Sequence, residues 1–412
     1  MSTPSRSPFA PNASAKWETL RIDRMFKVRR ELPREDDQLV SAFIDGQVTA
    51  RSNRPDSIIK NSGMEHGYNR IKIGDLAISG MNAHLGGLGI SDSDGKCSPV
   101  YLVLCPVVSI DSRFCSYLLR HMALSGYVRS LVQTIRFNSS DFKFEDLKSF
   151  YLPMPPVSEQ KAIADYLDRE TARIDALIEK KQRMINLLDH RWSNKLREVV
   201  EVQPKVEVMQ LRRCVEKIVS GNWGGEPGTA DVDAICVRAG DFDFRTYSAN
   251  SGVMRAYLPE DIKKSCLREG DLIIEKSGGG EESPVGRVVE WKSNEVAIPT
   301  NFAAGVRANK RVSRKYLLYV FASCYSSRLT TRSIKQTTGI QNLDMGSYLS
   351  EKVPVPSLAT QEVIVERLDK VFFSIRAIQN CLEKQIEVLR ERRQALISAA
   401  VTGELEIPEV AA

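Results

Sequence analysis

No two cysteines in this chain are spaced for a metal or redox centre. The eight (Cys97, Cys105, Cys115, Cys214, Cys236, Cys266, Cys324 and Cys381) are scattered without a Cys-x-x-Cys pair, and His66, His84, His121 and His190 are equally dispersed. Metal sites need ligands on short turns or at helical spacing, so reduced cysteines with packing roles are expected. Long apolar runs are also missing. The longest, Val100 to Ile110, is broken by Pro106; it is too short for a bilayer and reads as a buried strand. The opening segment, Met1 to Lys16, is rich in Ser and Pro and has no apolar signal core, which predicts a disordered tail over 1–16 and a cytoplasmic chain.

Catalytic signatures are lacking too. Gly89 to Lys96 has the wrong spacing for a Walker loop, with Cys97 where the magnesium-binding hydroxyl belongs. No G-x-G-x-x-G follows an expected strand, no HExxH occurs, and Met154-Pro155-Pro156-Val157 lacks the amide and the ring of an amino-methyltransferase motif. Asp56, Asp141 and Lys143 fit a nuclease pattern only across a long separation, and the dispersed histidines leave no Ser-His-Asp set. The chain therefore reads as non-catalytic.

What is present is a repeat. Leu152-Pro153-Met154-Pro155-Pro156-Val157-Ser158-Glu159-Gln160 returns as Val353-Pro354-Val355-Pro356-Ser357-Leu358-Ala359-Thr360-Gln361, an offset of 201 residues that persists without a gap through Leu167-Asp168/Leu368-Asp369 to Arg191/Arg392. Apolar positions after each motif recur at helical spacing: Ile163, Leu167, Ile174, Leu177, Met184 and Leu188 in the first copy, and Ile364, Leu368, Ile375, Ile378, Leu389 and Leu396 in the second. The prolines block helix upstream, and Ser158 and Thr360 are candidate N-caps. Each copy predicts a helix of ~40 residues, roughly 60 Å long. Each needs a partner for its stripe, and the other copy supplies one, so the two should pack antiparallel.

The material before each helix is duplicated more loosely. Gly74-Asp75-Leu76-Ala77-Ile78 resembles Gly270-Asp271-Leu272-Ile273-Ile274, and short apolar runs alternate with turn residues, with helical stretches near 114–128 and 315–331. The expected fold is α+β: two globular α/β lobes separated by two long antiparallel coiled-coil helices, a pseudo-twofold tandem repeat. The expected boundaries are a first lobe at 17–152, a central helix at 153–203, a second lobe at 204–353, a C-terminal helix at 354–404 and a tail at 405–412.

Net charge is only +6, but its distribution is uneven. Val296 to Leu343 contains no acid and carries Arg307, Lys310, Arg311, Arg328, Arg332 and Lys335; Ser112 to Ser140 is likewise acid-free, with Arg113, Arg120, Arg129 and Arg136. Phosphate neutralisation accounts for paired basic windows, with Gln336 and its polar neighbours available for register or base edges. The glycine loop Ser277 to Arg287 adds Lys276 and Arg287 as candidate DNA contacts. An alternative is a non-catalytic assembly scaffold binding nucleic acid or acidic proteins without sequence preference.

The motif Pro153 to Gln160 opening a long helix, its repeat after residue 350, Gly270 to Gly279, and Gly339-Ile340-Gln341-Asn342-Leu343 together resemble the specificity subunits of type I restriction-modification systems, from about Trp17 to the end of the chain. The second copy departs at Ser357 and Thr360, where the motif has proline and glutamate. The resemblance implies a DNA-binding subunit of a restriction and modification endonuclease complex. Each lobe would be a target-recognition domain reading one half of a bipartite site, with the helices as the ruler between halves. It further implies two modification (methyltransferase) subunits that bind S-adenosylmethionine, and two restriction subunits that use ATP and Mg. No cofactor is expected on this chain.

Overall fold

The computed structural model describes residues 17–54, 67–126, 135–136, 139–140, 144–148, 150–201, 206–337 and 339–407. Among these, four helices exceed ten residues: α1 (Ser112–Leu124), α2 (Val157–Arg197), α3 (Arg314–Ser326) and α4 (Leu358–Val401). The chain divides into two compact units, residues 1–180 with 385–412 (unit 1) and residues 181–384 (unit 2). The division falls within α2 and α4, so each unit takes part of both.

Unit 1 is built on a four-stranded antiparallel sheet in the order Phe26–Val28, Tyr101–Pro106, Leu76–Ser79, Leu88–Ile90. The apolar run beginning at Val100 thus supplies a strand with Val103 and Leu104 buried, while Val107 and Val108 are exposed. Asp111 caps α1 by accepting from the amides of Arg113 and Phe114. The helix then buries Phe114, Leu118 and Met122 in one core with Ile78, Leu104, Ile163 and Leu167 of α2, and Ile397 and Val401 of α4.

Unit 2 repeats this plan with additions. A five-stranded sheet runs Val215–Ser220, Ala303–Ala308, Leu272–Glu275, Val288–Trp291, Ser248–Ala249. A three-stranded sheet (Val253–Tyr257, Val232–Val237, Ala297–Pro299) stands beside it, and a three-stranded ribbon joins Ser277–Gly278, Ile340–Leu343 and Ile334–Thr337. Ser313 caps α3, which ends at Ser326 and not at 331; a 3-10 turn over Leu329–Ser333 follows. Gly74 and Gly270 take φ of +86° and +88°, the left-handed conformation that glycine enters without a Cβ penalty. Each donates to the matching far strand, Gly74 to the Ser91 carbonyl and Gly270 to that of Trp291.

Both long helices open in one way. The strand Tyr151–Met154 pairs with Glu18–Arg21, and Lys352–Pro354 pairs with Val208–Gln210; proline then ends the ladder. The buried Gln160 donates to the Pro155 carbonyl and accepts from the Asp111 amide. Gln361 donates to the carbonyls of Pro356 and Arg311 and accepts from the Ser313 amide. The two glutamines tie each helix to the start of α1 or α3. The cap expectations are corrected here: Ser158 and Thr360 lie inside the first turns, and Ser357 accepts from the Thr360 amide instead.

The helices pack antiparallel. Within unit 2, Gln379 donates to the Ile185 carbonyl, Arg376 pairs with Asp189 at 3.2 Å, and Trp192 meets Phe372 at 5.1 Å between ring centroids. Within unit 1, Arg393 pairs with Asp175 at 3.0 Å. Ile163, Leu167, Ile174, Leu368 and Ile375 are buried, and Leu188, Ile364 and Leu389 are half-buried. Leu177, Met184 and Ile378 are not in the seam; they are 41%, 49% and 44% exposed. After Ile174 and Ile375 the seam steps by four residues, to half-buried Ile178 and buried Gln379, and 177 and 378 turn outward.

Candidate nucleic-acid interface

In unit 2 some exposed cations of the basic window lie on and beside the ribbon. Lys335 and Gln336 are exposed on Ile334–Thr337, and Arg332 precedes them. Lys335 is 75% exposed with Asp344 at 2.5 Å, and Arg332 is 67% exposed with Glu351 at 3.7 Å. Burial alternates along the facing strand as a pleat requires. Gln341 and Leu343 point in, and Ile340 and Asn342 point out. Gln341 accepts from the Val285 amide and so anchors the far end of the glycine loop. Asn342 accepts from the Ser277 hydroxyl at 2.6 Å across the ladder, leaving its amide N–H groups to the outside. Arg328 is exposed at a positive φ of 58° and donates to the Glu282 carbonyl. Lys310 and Arg311 are exposed beyond the strand Ala303–Ala308, and Lys276 is half-buried, held by backbone bonds to Phe302 and Leu343.

Two candidate cations, one of the window and one of the glycine loop, are committed inward. Arg307 makes a bidentate pair with buried Asp271 at 2.9 and 2.6 Å, and the hydrogen bonds to Asp271 raise its pKa above the ordinary arginine value. Arg287 pairs with buried Glu275 at 2.9 and 3.1 Å and stacks 4.0 Å over the Phe244 ring. Such pairs position the strand carrying the loop.

In unit 1, Arg113 is held by Asp111, Asp165 and Asp168 at 2.7, 2.8 and 2.7 Å; it joins α1 to α2. Arg120 is half-buried and donates to the Ile44 carbonyl. Arg136 lies on the strand Ile135–Arg136, but its side chain, Arg129 and the nuclease candidates Asp56, Asp141 and Lys143 fall outside the described residues.

Sequence reading passed over the Ser277–Asn342 pair and an exposed Trp223, over which Arg255 stacks at 4.6 Å. The run Gly221-Asn222-Trp223-Gly224-Gly225, a large ring flanked by glycines, is the signal that marks the second. Among the described residues no group of three or more His, Cys, Asp or Glu is placed to hold a metal, and no helix is long and apolar enough to cross a membrane. Burial pushes the Cys97 and Cys115 thiols up to about 12.

The family model for the type I restriction modification DNA specificity domain matches residues 15–187 and 248–388. The chain is similar to the type I restriction enzyme EcoKI specificity subunit of Escherichia coli (strain K12), 20% identical over 331 residues, 75% of this chain and 69% of that one. It is 33% identical over 318 residues to the EcoBI specificity subunit of Escherichia coli, 69% of this chain and 64% of that one. A solved chain from work on complex assembly and conformational transition of the type I R-M system shares the fold, with a TM-score of 0.73 at 16% identity, covering 96% of this chain and 99% of that one.

Proposed function

The chain belongs to the type I restriction modification DNA specificity family, as a non-catalytic DNA specificity subunit, and from that premise we propose that each lobe reads one half of a bipartite DNA site while the paired helices set the gap between halves. The readers are the lobes at 17–152 and 204–353. The observation that carries this reading is the duplication itself: a reader followed by a long helix occurs twice, with the same glutamine fastening each helix to its lobe. Two copies of one reader on a paired stiff spacer suit two half-sites at a fixed separation.

In the second lobe the ribbon and glycine loop enter a groove. Lys335, Arg332, Arg328, Lys310 and Arg311 take phosphates, Gln336 and Asn342 face base edges, and Arg287 and Arg307 hold the frame. Two modification subunits that carry S-adenosylmethionine dock on the helices and lobes, and two restriction subunits that use ATP and Mg complete the complex in the cytoplasm. Exchanging residues 205–350 for those of another family member tests the reading. Mapping methylated motifs in cells carrying the modification subunit should show one half of the motif changed and the other retained. A change in both halves or in neither would refute it.

A further inference from the structure

The duplication sets two matched places side by side for comparison, one in each unit, and they are filled differently. In unit 2, Trp192 of α2 packs against Tyr247, Tyr319 and Phe372, with ring centroids 6.3, 5.8 and 5.1 Å away. The offset of 201 residues puts Arg393 where Trp192 stands and Thr171 where Phe372 stands. Among the described residues, unit 1 therefore keeps Tyr117 at this place but lacks the Trp and Phe of the plug. It has a cavity of about 780 Å³ between α1, the hairpin tip at Asp45–Gln47, α2 and α4. That volume falls in the range of about 300–1,000 Å³ typical of small-ligand sites.

The charges around it do not cancel. Asp168 accepts from Arg113 and from the Tyr117 hydroxyl, Asp175 is paired with Arg393, and Asp45 with Arg54. Arg120 and Arg390 also line the cavity, and neither has an ion-pair partner among the described residues. Among the described residues Arg120 donates only to the Ile44 carbonyl, at 3.3 Å. It packs over Gly46, where a Cβ would fall 1.4 Å from its Nη1, and the positive φ of 92° at that position favours glycine. Burial, reinforced by Arg393 and opposed by Asp45 and Asp175, pulls its pKa below the ordinary value; a half-buried guanidinium without a direct ion pair is costly.

We propose that this cavity binds a small phosphorylated ligand of nucleotide size, its phosphates held by Arg120 and Arg390 and its less polar part against Tyr117, Ile90 and Ile397. Guanidinium forks match phosphate oxygens, and Gln47 and Gln394 line the same space. The site is independent of DNA reading by the lobes.

Calorimetric titration of the full chain with pyrophosphate and with ATP tests it. Saturable binding is expected, weakened by at least about tenfold in Arg120→Gln/Arg390→Gln. Thr171→Phe/Arg393→Trp, which installs the plug of unit 2, should abolish binding. Arg390 is exposed, so Arg390→Gln alone keeps the fold and should still weaken binding by about threefold or more. No saturable binding by the unaltered chain up to about 5 mM of either probe, or unchanged affinity in Arg390→Gln, would overturn the proposal. So would an equal loss of duplex-DNA affinity in Arg120→Gln/Arg390→Gln, which would give these arginines to DNA.

Discussion

In unit 1 the buried Asp75 is held by Arg29, which follows the strand Phe26–Val28; in unit 2 the matching Asp271 is held by Arg307, on the strand Ala303–Ala308. The registers align these strands: Leu76 faces Leu104 as Leu272 faces Val306, and Lys27 faces Cys105 as Lys217 faces Arg307. Unit 1 therefore has Arg29 and Cys105 where unit 2 has Val219 and Arg307. The acid is common to both units, and the cation comes from whichever neighbouring strand supplies it. What the fold requires at this turn is a neutralised buried carboxylate, not an arginine at one position.

The largest effect should come from breaking that pair. Arg307→Leu leaves Asp271 charged and buried with the Arg268 amide but without its cation, and should cost unit 2 about 3–5 kcal/mol, read as a lower urea midpoint. Arg29→Val should do the same to unit 1. Adding Cys105→Arg to Arg29→Val copies the arrangement of unit 2 and should recover most of the loss. A double variant as unstable as Arg29→Val would show that the two strands are not interchangeable as donors.

The same comparison shows what was legible in the sequence. The helices were, because one stripe and one opening motif recur at a constant offset, and helical contacts are local. Leu177 and Ile378 were misplaced because they too are apolar and recur at that offset; a step of three residues and a step of four are both helical, and the seam takes four after Ile174 and Ile375. The basic windows were legible as composition but not as electrostatics. The stretch Val296 to Leu343 contains no acid, yet Asp271 meets Arg307 across a sheet register, 36 residues away in sequence. Likewise the acids that hold Arg113 come largely from α2. The cavity in unit 1 was hidden because it depends on which side chains fill matched positions once the helices have paired.

Next in size is the seam. Ile185→Ala removes a side chain 7% exposed and should cost about 2–4 kcal/mol. Leu177→Ala, at 41% exposure, should cost under about 1 kcal/mol. Equal losses in thermal unfolding would break the assignment of the seam to 178 and 185. The glutamines come after. Gln361→Ala strips partners from the Ser313 amide and from the Pro356 and Arg311 carbonyls and should cost about 2 kcal/mol; Gln160→Ala, with fewer bonds, should cost about 1 kcal/mol. The reverse order would mean that packing, not these bonds, fastens the helices.

The smallest effect separates exposed cations from framing ones. Once the methylated motif is mapped, the chain in complex with its modification subunit can be titrated with that duplex at several salt concentrations. Lys335→Ala and Arg332→Ala should each flatten the slope of log affinity against log salt by about 0.9. Asp344→Asn should act in the opposite direction, because Lys335 is shared between Asp344 and any phosphate. It should raise affinity severalfold at low salt. It should also leave the fold in place, since an amide oxygen can still accept from the Ser347 amide as the carboxylate does. The hydrogen bond from Lys335 holds the Asp344 carboxyl below its usual range. The carboxylate therefore stays ionised until pH falls through that lowered value, and only there would acid release Lys335. The difference between Asp344→Asn and the unaltered chain should accordingly stay flat from pH 5 to 8; a difference that varied across that window would mean that Asp344 is not what restrains Lys335.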